Sequence, residues 1–177
     1  MKILLFLIIF LAQLIFASES NVYKSIIDDD YASVKTYLKA NVLLIRATNE
    51  ENETLLHFAA KHSKSRIVSL LVKNGANVNA RDAKLYTPLI HACNVNNIQC
   101  VKVLVKNGAN INAAAVDGIT GMHLAIKGGY SAIVKYLFSQ GFNMNSETSD
   151  SLTPLKYAEK YGRTDIIKFF SKHNITH

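Results

Sequence analysis

The sequence predicts an all-α fold, a solenoid in which helix–turn–helix units stack side by side and are joined by extended, β-hairpin-like loops. One set of threonines and one set of glycines recur at intervals of 33 residues: Thr54, Thr87, Thr120 and Thr153, and Gly75, Gly108 and Gly141. A fixed interval of this length indicates repeated supersecondary units, each burying its apolar face against its neighbours. The composition, 49% hydrophobic and 19% charged residues, agrees with a globular chain.

The first 17 residues have the pattern of a secretory signal peptide. Lys2 precedes an apolar run that begins at Ile3 and ends in the small residue Ala17. This run is shorter than the roughly 20 apolar residues that cross a bilayer as a helix. We therefore expect residues 1–17 to be cleaved and residues 18–177 to form one folded domain. The mature protein is then periplasmic or secreted, with no stable insertion into the membrane.

The first unit, residues 21–47, keeps the repeat only in degenerate form. Asn21 stands where the threonine is expected, Ile26 where an alanine is expected and Val42 where the glycine is expected. The end unit of a solenoid has one side without a neighbour, so its sequence departs from the pattern of the inner units. We predict that residues 21–47 form an amino-terminal cap.

Units 48–80, 81–113 and 114–146 repeat the pattern most closely. In the middle one, Thr87 is placed to cap a helix, and Pro88 suits the first helical position, where a missing N–H costs nothing. The small Ala92 lets a second helix approach, and the apolar residues from Cys100 onward give that helix a broad buried face. Gly108 supplies the left-handed conformation that ends it. The sequence thus predicts a helix, a turn, a second helix and a loop in each unit.

The last unit, residues 147–177, is predicted to be a carboxyl-terminal cap. Thr153 and Pro154 again mark the start of a helix. Asn174 falls where the glycine is expected, and asparagine tolerates the left-handed conformation best after glycine.

These motifs resemble those of the ankyrin-repeat family. The resemblance rests on Thr-Pro-Leu-Ile-His-Ala at residues 87–92, on Gly-Ala-Asn-Ile-Asn at residues 108–112 and on the 33-residue period, and it covers residues 21–177. It implies stacked helix pairs, no catalysis, and a protein partner bound on a concave face made of loop tips and first helices. It also implies that His57 and His123, at the Thr-x-x-His positions, form hydrogen bonds between loops and repeats.

Carried onto this sequence, the concave face consists of residues on four loops and at the ends of the first helices. The predicted partner-binding residues are Glu50, Glu51, Glu53, Lys61, His62, Arg81, Lys84, Tyr86, Asn94, Val95, Val116, Asp117, Ile119, Lys127, Asp150, Leu152 and Tyr161. Their charge changes from acidic on the first loop to basic on the second, which favours a protein over a polyanion. Five are apolar or aromatic where the core does not need them, as in protein interfaces, unless they pack loop on loop: Tyr86, Val95, Ile119, Leu152 and Tyr161.

An alternative function is the handling of metal or haem by surface histidines, of which the chain has six in all. His91 follows the structural histidine position by one residue and is expected at the surface or in packing. The sequence contains no Cys-x-x-Cys or Cys-x-x-Cys-His motif, so it predicts no metal site and no cofactor.

The two cysteines, Cys93 and Cys100, fall on positions that face the space between paired helices. In an oxidising compartment they form a disulfide if their Cα atoms lie within about 7 Å. Otherwise they pack as small buried apolar residues.

Other function classes find little support in the residues. The chain has no Gly-x-Ser-x-Gly, His-Glu-x-x-His or phosphate-binding glycine loop, so we predict that it is not an enzyme. The net charge is +7, but the lysines are scattered and form no basic run, so no nucleic-acid partner is expected. We expect a monomer.

Overall fold

The computed structural model describes residues 21–175, so the predicted signal peptide at residues 1–17 lies outside the described residues. Residues 21–27 are helical (α1), and a 3₁₀ turn spans Val42–Arg46. The other helices are α2 (Tyr31–Ala40), α3 (Leu55–Lys61), α4 (Ser65–Lys73), α5 (Pro88–Asn94), α6 (Ile98–Lys106), α7 (Gly121–Gly128), α8 (Ser131–Ser139), α9 (Pro154–Lys160) and α10 (Thr164–Lys172). Within residues 21–175 there is no strand beyond isolated bridges, which confirms the all-α repeat fold.

The repeated threonines start the first helix of each inner pair. The side chain of Thr87 accepts a hydrogen bond from the backbone N–H of Ile90, and Pro88 takes the first helical position, as predicted. Thr54 and Thr120 form the same cap, and the backbone N–H of each threonine also donates to a histidine side chain, which completes a capping box. One residue type at one interval thus fixes where each helix pair begins.

The second helix of each pair ends where the sequence predicts. Gly108 follows α6 with a φ of +86°, in the left-handed region. Asn174 follows α10 in the same region, with a φ of +58°. The chain therefore leaves both helices in the same way, although only one of the two positions is a glycine.

Stacking arranges the helices in two layers. The first helices α3, α5, α7 and α9 pack on one another in that order, and the second helices α4, α6, α8 and α10 pack beside them. One continuous apolar core extends from Val22 in α1 to Phe170 in α10. The degenerate first unit takes part in it, because Val22, Ile26 and Val34 are fully buried.

The loops between units are hairpin-like, and neighbouring loops are tied to each other. Single antiparallel bridges join Thr48 to Thr54 and Ala114 to Thr120. The backbone N–H of Ala83 donates to the carbonyl of Glu51 at 3.0 Å, which links the second loop to the first. The loop tips therefore form an ordered row along one edge of the solenoid.

The first helices α5 and α7 approach each other closely at Gly121. A Cβ atom built on Gly121 would lie 2.9 Å from Sγ of Cys93, closer than atoms in contact allow. Cys93 and Cys100 are both fully buried and are free thiols in the structure, so the disulfide that the sequence leaves open is not formed there. Burial raises the pKa of Cys100 to about 12 and that of Cys93 further still.

Candidate functional site

The predicted partner-binding residues lie on the four loops and at the carboxyl-terminal ends of α3, α5, α7 and α9, a surface called here the loop–helix face. Ten of these residues are exposed: Glu50, Glu51, His62, Arg81, Lys84, Asn94, Val116, Asp117, Lys127 and Asp150. Six are half-buried: Lys61, Tyr86, Val95, Ile119, Leu152 and Tyr161. The remaining one, Glu53, is buried.

Glu53 departs from the prediction because its carboxylate turns inward. Only 2% of the residue is exposed. Its Oε1 atom accepts a hydrogen bond from Nζ of Lys61 at 2.7 Å, and its Oε2 atom accepts one from Nδ2 of Asn49 at 3.0 Å. These partners replace the water that a buried carboxylate loses, so Glu53 belongs to the floor of the face and not to its outer surface.

The apolar residues of the face divide into two groups. Ile119, Leu152 and Tyr161 pack against the core, as the loop-packing alternative predicts. Tyr86 instead stacks edge-on against His91, with 5.4 Å between ring centroids. The most exposed apolar side chain of the face is Val116, at 76%. Leu85, which the sequence pattern did not predict as a binding residue, follows at 40%.

A cleft of about 440 Å³ opens between the first two loops and the ends of α3 and α5. Its lining consists of Glu50, Glu51, Glu53, Lys61, Asp82, Ala83, Lys84, Tyr86, His91 and Asn94. The sequence predicted seven of these residues as partner-binding and missed Asp82, Ala83 and His91. The cleft therefore concentrates the predicted residues of the first two inner units.

Asp82 is held rigidly on the floor of this cleft. Its Oδ1 atom accepts hydrogen bonds from the backbone N–H groups of Lys84 and Tyr86, both at 2.9 Å. Its Oδ2 atom lies 2.8 Å from Nε2 of His91, which is itself only 8% exposed. The prediction of His91 at the surface or in packing missed this pairing. The loop before α5 folds back so that Asp82 lies beside His91 of that helix. The only sign of this pairing in the sequence is an aspartate nine residues before a histidine.

The buried charges of the cleft stabilise one another. Burial opposes ionisation of Glu53, but hydrogen bonds from Lys61 and Asn49 outweigh it and lower the pKa of the carboxyl group. Burial likewise opposes ionisation of Asp82, and hydrogen bonds from His91 and from the backbone lower its pKa. The bond to Glu53 also raises the pKa of Lys61. Two carboxylates and an ammonium group thus remain charged side by side.

His57 holds two loops together, as the resemblance implied. The backbone N–H of Thr54 donates to its Nδ1 atom at 3.1 Å, so its Nε2 atom carries the proton. Nε2 donates in turn to the carbonyls of Ala80 and Tyr86, at 3.0 and 3.1 Å. His123 repeats the Nδ1 contact with Thr120, and its side chain is fully buried. Neither imidazole is available at the surface.

A larger cleft of about 670 Å³ lies on the other side of the first loop. Its lining includes the cationic side chains of Arg46 and Arg81, both exposed. Arg81 also donates from Nη1 to the carbonyl of Ala114 at 2.9 Å, so it bridges the second and third loops. The larger cleft has no buried carboxylate paired with a histidine in its lining, whereas the cleft of about 440 Å³ has one. The smaller cleft is therefore the better candidate site.

None of the helices in residues 21–175 combines the length and the apolar character needed to cross a bilayer.

Comparison with known proteins agrees with this architecture. The family model for ankyrin repeats, which spans three copies of the repeat, matches residues 14–115 and again residues 113–177. No curated protein matches the chain. The matches cover nearly all of the sequence and coincide with the stacked helix pairs, so the chain belongs to the ankyrin-repeat family.

Proposed function

We propose that this protein is a non-catalytic interaction module that binds a protein partner on its loop–helix face, around the cleft between the first two loops. Ankyrin repeats are generally protein–protein interaction modules and are typically non-enzymatic. The exposed residues of the face mix both signs of charge with apolar side chains, which suits a folded partner with complementary patches. The partner meets a monomeric chain in this proposal.

The conformation of Leu85 is the observation that carries the proposal. Leu85 has a φ of +60°, and the equivalent positions of the other loops, Asn52, Gly118 and Ser151, share this left-handed conformation but carry smaller or polar residues. A left-handed conformation costs a residue with a side chain about 1–2 kcal/mol. Backbone strain of this kind concentrates at functional sites. A bulky side chain kept there, 40% exposed between two residues that line the cleft, Lys84 and Tyr86, is therefore best explained by contact with a partner.

Val116 extends this apolar contact to the next loop. It is 76% exposed on the third loop, and Tyr86 is half-buried beside Leu85. Charged residues flank these side chains, acidic on the first loop and basic on the second. Apolar anchors within a charged rim are the usual anatomy of a protein interface.

The proposal predicts that Leu85→Gly combined with Val116→Ser removes partner binding without unfolding the protein. Glycine adopts a positive φ at no steric cost, so the change at residue 85 relieves strain. The tagged full chain is crosslinked in its native host, and the protein that co-purifies with it is identified and quantified by mass spectrometry. We expect the variant to recover about tenfold less of that protein, the loss typical of interface anchors.

The matched control changes equally exposed apolar residues elsewhere. Val42 and Leu43 are each 70% exposed on the 3₁₀ turn of the first unit. Val42→Ser with Leu43→Ser should leave recovery unchanged, and circular dichroism should show the same helical content in all three proteins. Equal recovery by the loop variant and the wild type, or a larger loss in the control, rejects the loop–helix face as the binding surface.

Export to the periplasm or the medium is the second part of the proposal, supported by the apolar run that begins at Ile3 and ends at Ala17. We expect the mature protein in the exported fraction of host cells, with a new amino terminus at or next to Ser18. Fractionation followed by amino-terminal sequencing checks this. An intact Met1 on protein recovered from the cytoplasm would contradict it.

The alternative of metal or haem handling by surface histidines loses three of its six candidates in this structure. His57, His91 and His123 are buried, and His62 and His173 are exposed. His177 lies outside the described residues. What favours a metal is one buried cluster that includes His91, and no observation favours haem.

A further inference from the structure

We infer that Glu53, Asp82 and His91 form a binding site for one Zn²⁺ ion on the floor of the cleft, a property beyond the binding of a protein partner. One ligand atom from each of the three residues lies within 4.8 Å of the other two. Nε2 of His91 is 2.8 Å from Oδ2 of Asp82 and 3.9 Å from Oε1 of Glu53. All three residues are buried. The site joins two units, because Glu53 precedes α3 while Asp82 and His91 belong to the next repeat.

Each carboxylate is oriented by its other oxygen. The backbone N–H groups of Lys84 and Tyr86 occupy Oδ1 of Asp82, which leaves Oδ2 facing His91. The side-chain amide of Asn49 occupies Oε2 of Glu53, which leaves Oε1 facing the same point. Metal sites in proteins depend on such outer hydrogen bonds to hold their ligands in place. The converging atoms are therefore positioned before an ion arrives.

The donor set selects the class of ion. One imidazole nitrogen with two carboxylate oxygens suits Zn²⁺, whereas Mg²⁺ and Ca²⁺ prefer oxygen ligands alone. Zn²⁺ with three protein ligands keeps a further coordination position for water or another group. Here that position faces the open cleft. The ligand distances of about 2.0–2.2 Å that Zn²⁺ requires need only small side-chain movements from the separations present.

The ammonium group of Lys61 is the positive charge next to Glu53 in this structure. Its Nζ atom lies 2.7 Å from Oε1 of Glu53 and 3.6 Å from Oε2 of Glu51. The side chain of Lys61 is 39% exposed, so it can turn toward solvent when a divalent ion binds to Oε1. An ion of charge +2 balances the two buried carboxylates, which one ammonium group does only in part. Lys61 is therefore a competitor of the metal, and its removal should strengthen binding.

The test measures metal binding by the full chain and three variants after the protein has been stripped with a chelator. Co²⁺ serves as the spectroscopic probe, its visible absorbance is followed to saturation, and Zn²⁺ is then added to displace it. We expect one equivalent of either ion. His91→Gln should weaken binding about tenfold or more, because it removes the nitrogen ligand. The glutamine keeps an N–H donor for Asp82, which protects the fold.

The other two variants separate this site from surface binding. His62→Gln is the matched control, since it makes the same substitution at an exposed imidazole on the same face and should leave affinity unchanged. Lys61→Met should raise affinity roughly twofold to fivefold, the range expected for loss of a half-exposed ion pair. Zn²⁺ should also raise the melting temperature of the wild type and of His62→Gln, but not of His91→Gln.

Two results overturn the inference. The first is the absence of stoichiometric Co²⁺ or Zn²⁺ binding in both the wild type and Lys61→Met. The second is binding that His91→Gln leaves unchanged or that His62→Gln abolishes, which would place the ion at a surface histidine. Recovery of the protein partner is a separate measurement, so failure here leaves the proposed interaction function standing.

Discussion

The buried imidazole of His123 makes the stability of this protein depend on pH. Burial lowers its pKa from 6.5 to about 4, although the Leu152 carbonyl and the charge of Asp117 partly oppose the shift. Burial also lowers the pKa of His57, in the equivalent position of another unit. In the unfolded chain the pKa of each of these two imidazoles returns to its ordinary value. Between pH 6.5 and 4 the unfolded chain therefore binds protons that the folded chain does not.

We predict that the free energy of unfolding falls as the pH drops through this window. His123 alone should contribute a loss of about 2 kcal/mol between pH 7 and pH 5, in proportion to its shift, and His57 should add to it. Urea unfolding at a series of pH values measures this. His123→Gln should flatten the dependence, because glutamine does not titrate and is itself a common capping-box residue. An equally steep dependence in that variant would rule out His123 as its source.

At the scale of single residues, sequence periodicity predicts where a residue lies in the repeat better than it predicts which way its side chain points. The family resemblance gave His57 its structural role correctly, since this side chain bonds to Ala80 and Tyr86 in the next loop, and His123 keeps the local contact with Thr120. Periodicity missed the inward turn of Glu53 and the pairing of Asp82 with His91. Those arrangements depend on how a hairpin folds back over a helix, and the repeat interval does not encode that path.

At the scale of helices, α5 and α7 are matched in shape through one pair of residues. Gly121 occupies the position at which neighbouring units have Leu55, Pro88 and Pro154, and Sγ of Cys93 fills the space that the missing side chain leaves. The close approach depends on the sizes of both residues. The packing of these two helices therefore depends on Gly121 and Cys93 together.

We predict that Gly121→Ala destabilises the protein by about 1–3 kcal/mol, as overpacking of a core typically does. Adding Cys93→Ala should recover part of that loss, because the added methyl group then takes the place of the sulfur. Urea unfolding of the two single variants and the double variant gives the coupling energy. Cys100→Ala is the control, since this other buried cysteine should combine additively with Gly121→Ala. Additive behaviour of the Cys93 pair would contradict the proposed contact.

The starts and ends of the helices could be predicted from the sequence because the residues that mark them act on the backbone locally. Thr87 with Pro88 marked one start, and Gly108 and Asn174 marked two ends, each through a preference of a single backbone position. The close contact of Gly121 with Cys93 had no such signal. It depends on the distance between two stacked helices, which the sequence of either helix alone does not specify.

At the scale of the whole molecule, stability is distributed along one axis. The core is continuous, yet each helix pair packs mainly on its immediate neighbours. For solenoids of this kind the free energy of unfolding is roughly a sum of unit and interface contributions.

We predict that a chain ending at residue 146 still folds but is less stable. Removing α9 and α10 uncovers the packing surfaces of α7 and α8 and removes about one fifth of the folded mass. Both the urea midpoint and the denaturant dependence, which scales with the surface exposed on unfolding, should therefore decrease. Complete loss of helical circular dichroism in the shortened chain would show that the units do not contribute separately.

The hydrogen bonds between loops have a consequence for how tightly a partner is held. The second loop is tied to the first through Ala83 and Glu51, to the third through Arg81 and Ala114, and the fourth to the third through Ser149 and Asp117. Binding ordinarily loses free energy when mobile segments must be ordered. Because these tips restrain one another in advance, the conformational entropy lost on association is small. The affinity of this edge then depends mainly on the quality of its contacts.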